Sequence, residues 1–149
     1  MSDPIILRPA QPRDFSFCQW LYFENMGWII NALKLDAERH RDGFARQWRS
    51  REGRIINVAG GDTGWLQTTP ADDAIFLEQL YLDRRFQWQG IGRGVMRIVI
   101  EEATLTEKAV ALAVVKINPA RQLYERLRFR VTDDDEHKFY MRREPDMPP

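Results

Sequence analysis

Two apolar segments on either side of a glycine-rich stretch constrain the fold of this chain most. AIFLEQLYL (residues 74–82) is too apolar for a half-exposed strand, and it predicts a central strand buried on both faces. QWQGIGRG (residues 87–94) follows, and VMRIVIEEATL then predicts a helix to about Leu105. AVALAVV (residues 109–115) predicts a second buried strand. Buried strands that alternate with helices require a layered fold in which helices cover a sheet.

The remaining segments predict further strands and helices around these two. Asp36 is suited to cap the helix that follows it, and the glycine pair in GGD suits a hairpin turn. Strands are predicted at residues 5–8, 54–59, 64–69, 129–132 and 138–142, and helices at 12–26, 36–51 and 119–127. The pattern predicts an α/β (α+β sandwich) fold in one domain spanning residues 1–149, with a flexible tail from about residue 144.

Composition excludes several classes of function. The 149 residues carry a formal net charge of zero, which argues against nucleic-acid binding and against an anionic membrane surface. One cysteine, Cys18, allows no intrachain disulfide, and two distant histidines, His40 and His137, predict no metal site. Because no apolar run is long enough to span a membrane and the N-terminus resembles no signal peptide, we expect a cytoplasmic protein.

The glycines at positions 90, 92 and 94 predict a phosphate site. They stand where a buried strand enters a helix, whose first turn presents unpaired N–H groups and the positive end of the dipole. A P-loop is excluded because its Lys and Ser/Thr are missing, and a dinucleotide fingerprint is excluded because its third glycine is replaced by Val95. The alternative is a glycine turn that only tightens strand–helix packing.

Two blocks of the sequence resemble the Gcn5-related N-acetyltransferase (GNAT) superfamily. Gln87, Gly90 and Gly92 match its signature Q/R-x-x-G-x-G/A after a strand that ends at Leu82. NPARQLYERLRF (residues 118–129) is similar to the second family block, with Arg128 where glycine is common. IILRPAQPRDF also looks like a typical family N-terminus, so the likeness covers nearly the whole chain.

The resemblance implies an acyl-CoA N-acyltransferase fold with acetyl-CoA as co-substrate. Its sheet is mixed and twisted, with six or seven strands and about four helices. Acetyl-CoA lies in this fold where the two apolar strands splay apart, and its pantetheine pairs with the backbone of a strand. The implied cofactor-binding residues are Leu80, Tyr81, Leu82, Gln87, Trp88, Gln89, Gly90, Ile91, Gly92, Arg93, Gly94, Asn118 and Tyr124.

The family reaction implies roles for three polar residues. Tyr124 is the candidate acid for the departing thiolate, against the alternative of a packed core tyrosine. Glu78 is the candidate base, because burial in an apolar strand would raise its pKa, and an ion pair is the alternative. Asn118 binds cofactor or water, or else it caps the helix that follows. The oxyanion donor is a backbone N–H at or near Leu82.

The predicted function is transfer of acetyl from acetyl-CoA to a primary amine of a small molecule or peptide, by direct attack in a ternary complex. The alternatives are a non-catalytic acyl-CoA sensor on the same fold and an arginine-dependent nucleic-acid binder, which zero net charge disfavours. The resemblance also implies a homodimer. Aromatic bulk in the N-terminal half either forms the core or lines the acceptor pocket: Tyr22, Phe23, Trp28, Trp48 and Trp65.

Overall fold

The computed structural model describes residues 3–146 as seven strands and four α-helices. Short 3₁₀ turns at Pro12–Asp14, Ser50–Glu52 and Arg84–Phe86 connect some of them. In chain order the elements are β1 (Ile5–Pro9), α1 (Phe15–Ala32), α2 (Ala37–Gln47), β2 (Gly53–Val58), β3 (Gly61–Pro70), β4 (Ala74–Leu82), α3 (Ile91–Leu105), β5 (Ala109–Val115), α4 (Arg121–Arg126), β6 (Arg130–Asp134) and β7 (Lys138–Arg143).

The strands form one mixed sheet in the order β1-β2-β3-β4-β5-β7-β6. The pair β4–β5 is parallel, with Ala74 opposite Ala109 and Leu77 opposite Leu112. The pairs β1–β2, β2–β3, β5–β7 and β6–β7 are antiparallel. A mixed seven-stranded sheet with four helices confirms the predicted fold class.

The described residues cluster into two compact units. The N-terminal unit contains residues 3–67 and 79–91. An aromatic cluster forms much of its core: the Phe44 ring lies 5.6 Å from the Trp65 ring, and Tyr22 contacts both Phe44 and Tyr81. Trp65, at 1% exposure, is among the most buried residues of this unit, as the core interpretation of the aromatic residues predicts, whereas Trp28 is 47% exposed.

The C-terminal unit contains residues 68–78 and 92–146. One stripe of α3 is buried at helical spacing: Val95, Met96, Val99 and Ala103. Val110 of β5 and Met141 of β7 are equally inaccessible. β6 is exposed along its whole length, and all of its residues except Val131 are charged or polar, as expected for an edge strand.

Several predicted boundaries differ from the observed ones. α1 runs through Gly27 to Ala32 and does not end near Met26. Asp36 caps α2 as predicted, accepting from the backbone N–H groups of Glu38 and Arg39, but α2 ends at Gln47. The predicted hairpin turn is present, with Ala59 and Gly60 both at positive φ between β2 and β3. The predicted tail falls partly on residues 147–149, which lie outside the described residues.

The prediction that β4 is buried on both faces is wrong. Ala74 and Leu77 are buried, but Phe76 is 42% exposed and Glu78 is exposed. Phe76 and Glu78 share one face of the strand because side chains alternate. Apolar composition therefore identified the strand, but it did not predict that this face would remain accessible.

We predict that Gly64→Ala destabilises the N-terminal unit. A Cβ at Gly64 would contact the Tyr81 carbonyl oxygen and lie 2.7 Å from Leu82 Cδ2, so β3 and β4 would have to move apart. We expect a loss of about 1–3 kcal/mol in the free energy of unfolding, measured by urea denaturation. Gly43→Ala in α2 is the control, because its Cβ would meet nothing within 4 Å. An equal effect of both variants would contradict the prediction.

Candidate functional site

The segment between β4 and α3 is held at its start by a buried carboxylate. Asp83 is 3% exposed, and its backbone N–H donates to Thr63 O of β3 at 2.9 Å. Its side chain accepts from the Arg85 backbone N–H and from the Arg85 guanidinium at 2.7 Å. These hydrogen bonds, the guanidinium's above all, hold the pKa of Asp83 below its ordinary value. The turn Arg84–Phe86 is therefore built on an ionised aspartate.

The signature glutamine, Gln87, uses its side chain within the protein. Its Nε2 donates to Asn25 Oδ1 at 3.0 Å and to Leu82 O at 3.1 Å. Asn25 Nδ2 donates to the same Leu82 O at 3.1 Å and to Leu21 O of α1 at 2.8 Å. The glycine loop (residues 87–94) is thereby tied to α1 and to the end of β4. Gln87 was predicted to bind cofactor, and its amide anchors the loop.

The exposed part of the glycine loop adopts a left-handed backbone twice. Trp88 has φ +64° and is 98% exposed, and Gly90 has φ +81°. A Cβ built on Gly90 meets nothing within 4 Å, so it would project into open space. Gln89 is also exposed, and its Nε2 donates back to Arg85 O at 3.0 Å.

The helix that follows presents its first turn without an acidic residue. α3 begins at Ile91, which is 8% exposed and anchors the helix start, and its first turn carries Gly92, exposed Arg93 and Gly94. The first backbone N–H groups of an α-helix have no partner within the helix. An exposed, glycine-rich helix start with positive charge is suited to bind an anion.

The three predicted β4 backbone residues are half-buried. The Tyr81 ring belongs to the aromatic core, 5.7 Å from Tyr22 and 6.2 Å from Trp65, so only its backbone is available to a ligand. Leu80 and Leu82 are half-buried as well, and Leu82 O already accepts two amide hydrogen bonds.

Tyr124 is a buried phenol on α4. It is 7% exposed, and the Phe129 ring packs against its edge at 5.7 Å. Burial raises the pKa of Tyr124 to about 12. The phenol is therefore protonated throughout the physiological pH range.

Of the other two predicted polar residues, Asn118 matches one of its two predicted alternatives, and Glu78 does not match the prediction of burial. Asn118 Oδ1 accepts a hydrogen bond from the Ala120 backbone N–H at 3.0 Å. This contact corresponds to the predicted alternative in which Asn118 caps the chain entering α4. Glu78 is exposed, so the prediction that it is buried within an apolar strand is wrong. Its position on the open face of β4, beside Phe76, leaves its carboxylate in water.

Two residues of the loop's support were missed from sequence. The role of Asp83 could have been predicted, because an aspartate directly after a strand commonly accepts a hydrogen bond from the backbone N–H two residues later. The role of Asn25 could not have been predicted, because its partners Leu82 and Gln87 are distant in sequence.

Residues 3–146 hold neither a cluster of metal ligands nor a membrane-spanning helix. No group of three or more His, Cys, Asp or Glu side chains there could hold a metal ion. No helix among these residues has the length and apolar character needed to cross a membrane.

A family model described as acetyltransferase (GNAT) family matches residues 9–129. The match includes the glycine loop and Tyr124, and it covers most of the chain. The chain belongs to the GNAT family of acetyltransferases. A search of curated proteins found no significant match.

Several solved structures have the same fold at low sequence identity. The PaiA N-acetyltransferase of Thermoplasma acidophilum, in complex with coenzyme A, is 14% identical with a TM-score of 0.76, covering 95% of this chain and 99% of that one. The ribosomal-protein-S18-alanine N-acetyltransferase of Escherichia coli is 19% identical with a TM-score of 0.72, covering 98% and 97%. Ard1 of Thermoplasma volcanium is 17% identical with a TM-score of 0.69, covering 96% and 99%. At these identities the likeness shows the fold.

We predict that Asn25→Ala weakens the attachment of the glycine loop in this GNAT protein. The variant removes one of the two acceptors of the Gln87 amide and one of the two donors to Leu82 O. We expect a loss of about 1–3 kcal/mol in the free energy of unfolding and faster amide hydrogen exchange in residues 87–90. Asn31→Ala, at an exposed position of α1, is the matched control. Unchanged exchange in Asn25→Ala would contradict the anchoring role.

Proposed function

We propose that this GNAT protein is an acetyl-CoA-dependent N-acetyltransferase. It would transfer acetyl from the CoA thioester to a primary amine of a small molecule or peptide, by direct attack in a ternary complex. The observation that carries the proposal is the exposed left-handed turn at Trp88 and Gly90, which leads directly into the open first turn of α3. The coenzyme A complex of the PaiA N-acetyltransferase supports it.

In this proposal the glycine loop binds the pyrophosphate of acetyl-CoA. The backbone N–H groups of residues 89–94 donate to phosphate oxygens, and the Arg93 guanidinium adds positive charge. Gly90 fits the role because a side chain there would project into the space above the loop. The anchor formed by Asn25 and Gln87 holds these donors in place before the ligand arrives, which lowers the entropy cost of binding.

The pantetheine would pair with the backbone of β4 at residues 80–82. The pairing of β4 with β5 ends at Leu77, whereas β4 itself continues for five more residues to Leu82. Leu82 O is already occupied by the Asn25 and Gln87 amides, so Leu82 contributes its N–H and not its carbonyl. That N–H is the proposed donor to the tetrahedral oxyanion.

Tyr124 would assist the departing thiolate as a hydrogen-bond donor. With a pKa of about 12, its phenol is a weaker acid than an ordinary tyrosine. Complete proton transfer to a thiolate with an ordinary pKa of about 8.5 would be uphill by about 5 kcal/mol. A hydrogen bond from the phenol to the developing charge stabilises the transition state without that cost, and water then supplies the proton.

Glu78 remains the proposed partner of the acceptor amine. Its carboxylate is exposed on β4, two residues from Leu80. An exposed carboxylate attracts an ammonium substrate and accepts a proton through water. Which class of amine the protein accepts depends on the residues that contact the acceptor.

We predict that Gly90→Ala weakens acetyl-CoA binding about tenfold or more in isothermal titration. The added methyl group would project toward the proposed pyrophosphate. Gly60→Ala is a close control, because Gly60 has φ +82° and equally open surroundings but lies in the β2–β3 hairpin. Both variants carry the same left-handed strain, so only Gly90→Ala should lose affinity. Binding of acetyl-pantetheine, which lacks the pyrophosphate, should be equal in both variants.

Three results would count against the proposal. Equal acetyl-CoA affinity of both variants would remove the glycine loop from the binding site. No binding of acetyl-CoA by the unmodified protein would remove the function altogether. Tight binding without turnover on a broad panel of amines would favour an acyl-CoA sensor.

We predict that Tyr124→Phe lowers kcat about 10²-fold with little change in KM, because the lost hydrogen bond forms chiefly in the transition state. Tyr140→Phe, at an exposed position of β7, is the control. A spectrophotometric titration checks the pKa: the ionisation absent from Tyr124→Phe should lie near 12. Because the folded pKa exceeds the ordinary 10, the phenol stays protonated below pH 10 and its contribution is lost only as pH rises toward 12. An unchanged kcat would contradict the role.

A further inference from the structure

A cleft of about 410 Å³ lies entirely within the C-terminal unit. It is bounded by one face of α3, by the turn after α4 and by the segment after β7. This volume is within the range of small-molecule sites in proteins.

The lining of the cleft has a large excess of positive charge. Five arginines face two carboxylates, Glu101 and Asp146. Arg143 is satisfied internally: its Nε donates to Leu127 O at 2.9 Å and its Nη2 pairs with Asp146 at 3.0 Å. Within residues 3–146, the other four arginines form no ion pair. Arg97 does not pair with Glu101, although helical spacing would allow it. These four are Arg93, Arg97, Arg126 and Arg128.

Two of these arginines occupy positions that disfavour them. Arg93 lies in the first turn of α3, where the helix dipole disfavours a cation. Arg128 follows α4 with φ +70°, a left-handed conformation in which glycine is the least strained residue. Lys34 after α1 and Glu107 after α3 have the same left-handed conformation, so this geometry belongs to the helix ends. At Arg128 it places a long cationic side chain beside the cleft.

The inner part of the cleft is suited to an organic molecule. Ile100 and Leu127 contribute apolar surface and are each 8% exposed. The Thr104 hydroxyl, which also lines the cleft, is buried without a hydrogen-bond partner. An unsatisfied buried hydroxyl is costly, and a ligand oxygen in the cleft would satisfy it.

We propose that this cleft binds the phosphomonoester group of a small molecule. A phosphomonoester carries about −1.5 to −2 charges at pH 7 and offers three acceptor oxygens, so it can bind several guanidinium groups at once. A carboxylate offers a single charge and two oxygens, which would leave most of the four arginines uncompensated. The apolar surface of Ile100 and Leu127 accommodates the body of the ligand.

Two molecules could supply the phosphomonoester. One is a separate phosphorylated compound, whose site would exist whether or not the protein transfers acetyl groups. The other is the 3′-phosphate of CoA, and only this source rests on the proposed function. Variants of Arg126 and Arg128 distinguish the two sources, because neither residue belongs to the glycine loop.

The first experiment is a titration of the full chain with phenyl phosphate, followed by calorimetry and by NMR of the arginine Nε–Hε groups. Benzoate and phenol are the comparison ligands. We expect Arg97→Gln and Arg126→Gln each to weaken phenyl phosphate binding about 3- to 10-fold. Arg130→Gln is the matched control, since Arg130 is exposed on β6 outside the cleft. Thr104→Val should weaken binding about threefold without lowering Tm.

Arg128→Gly should change thermal stability and ligand affinity in opposite directions, which replacement of a merely structural arginine would not do. Relief of the left-handed strain should raise Tm, while loss of the guanidinium should weaken phenyl phosphate binding. Binding to the unmodified protein should strengthen as pH rises through about 6, where the second phosphate proton is lost.

Several outcomes overturn the proposal. They are no binding of phenyl phosphate at about 10 mM, binding of benzoate or phenol equal to that of phenyl phosphate, and equal weakening by Arg130→Gln. Two outcomes support it and identify the source. If Arg126→Gln weakens CoA but not dephospho-CoA, the ligand is the cofactor's 3′-phosphate. If it weakens phenyl phosphate alone, the ligand is a separate compound.

Discussion

The carbonyl oxygen of Leu82 is the acceptor on which the candidate site depends. It receives the side-chain amides of Asn25 from α1 and Gln87 from the glycine loop, and these two amides also bond to each other. One backbone oxygen thereby joins a helix, the end of a strand and a loop. Asp83, directly after it, is tied to Thr63 and Arg85, so the chain leaves β4 in one defined direction. The exposed turn at Trp88 and Gly90 therefore follows directly on a segment held by hydrogen bonds.

Left-handed backbone occurs in this protein for different physical reasons. At Ala59 and Gly60 it allows the tight hairpin between β2 and β3. At Gly90 it opens the approach to the first turn of α3. At Arg128, as at Lys34 and Glu107, it ends a helix. The same local geometry thus closes a hairpin, exposes a loop backbone and ends a helix.

Burial and exposure divide the proposed chemistry between two kinds of group. Tyr124 is buried, so its phenol keeps its proton and acts as a donor. Glu78 is exposed, so it stays in contact with water and with an arriving amine. The proposed mechanism therefore uses Tyr124 as a hydrogen-bond donor and lets water carry the protons.

The sequence by itself determined the local features: the strands and helices, with α1 misjudged by six residues at its end, the Asp36 cap, the glycine hairpin and the glycine-rich start of α3. These depend on propensities and spacings of neighbouring residues, and the two family blocks could be read in the same way. Tertiary structure alone decided that the face of β4 with Phe76 and Glu78 is open, that Gln87 bonds to Asn25, and that distant arginines meet in one cleft. Alternation along a strand tells which side chains share a face, but only the packing of residues far apart in sequence determines whether that face is covered.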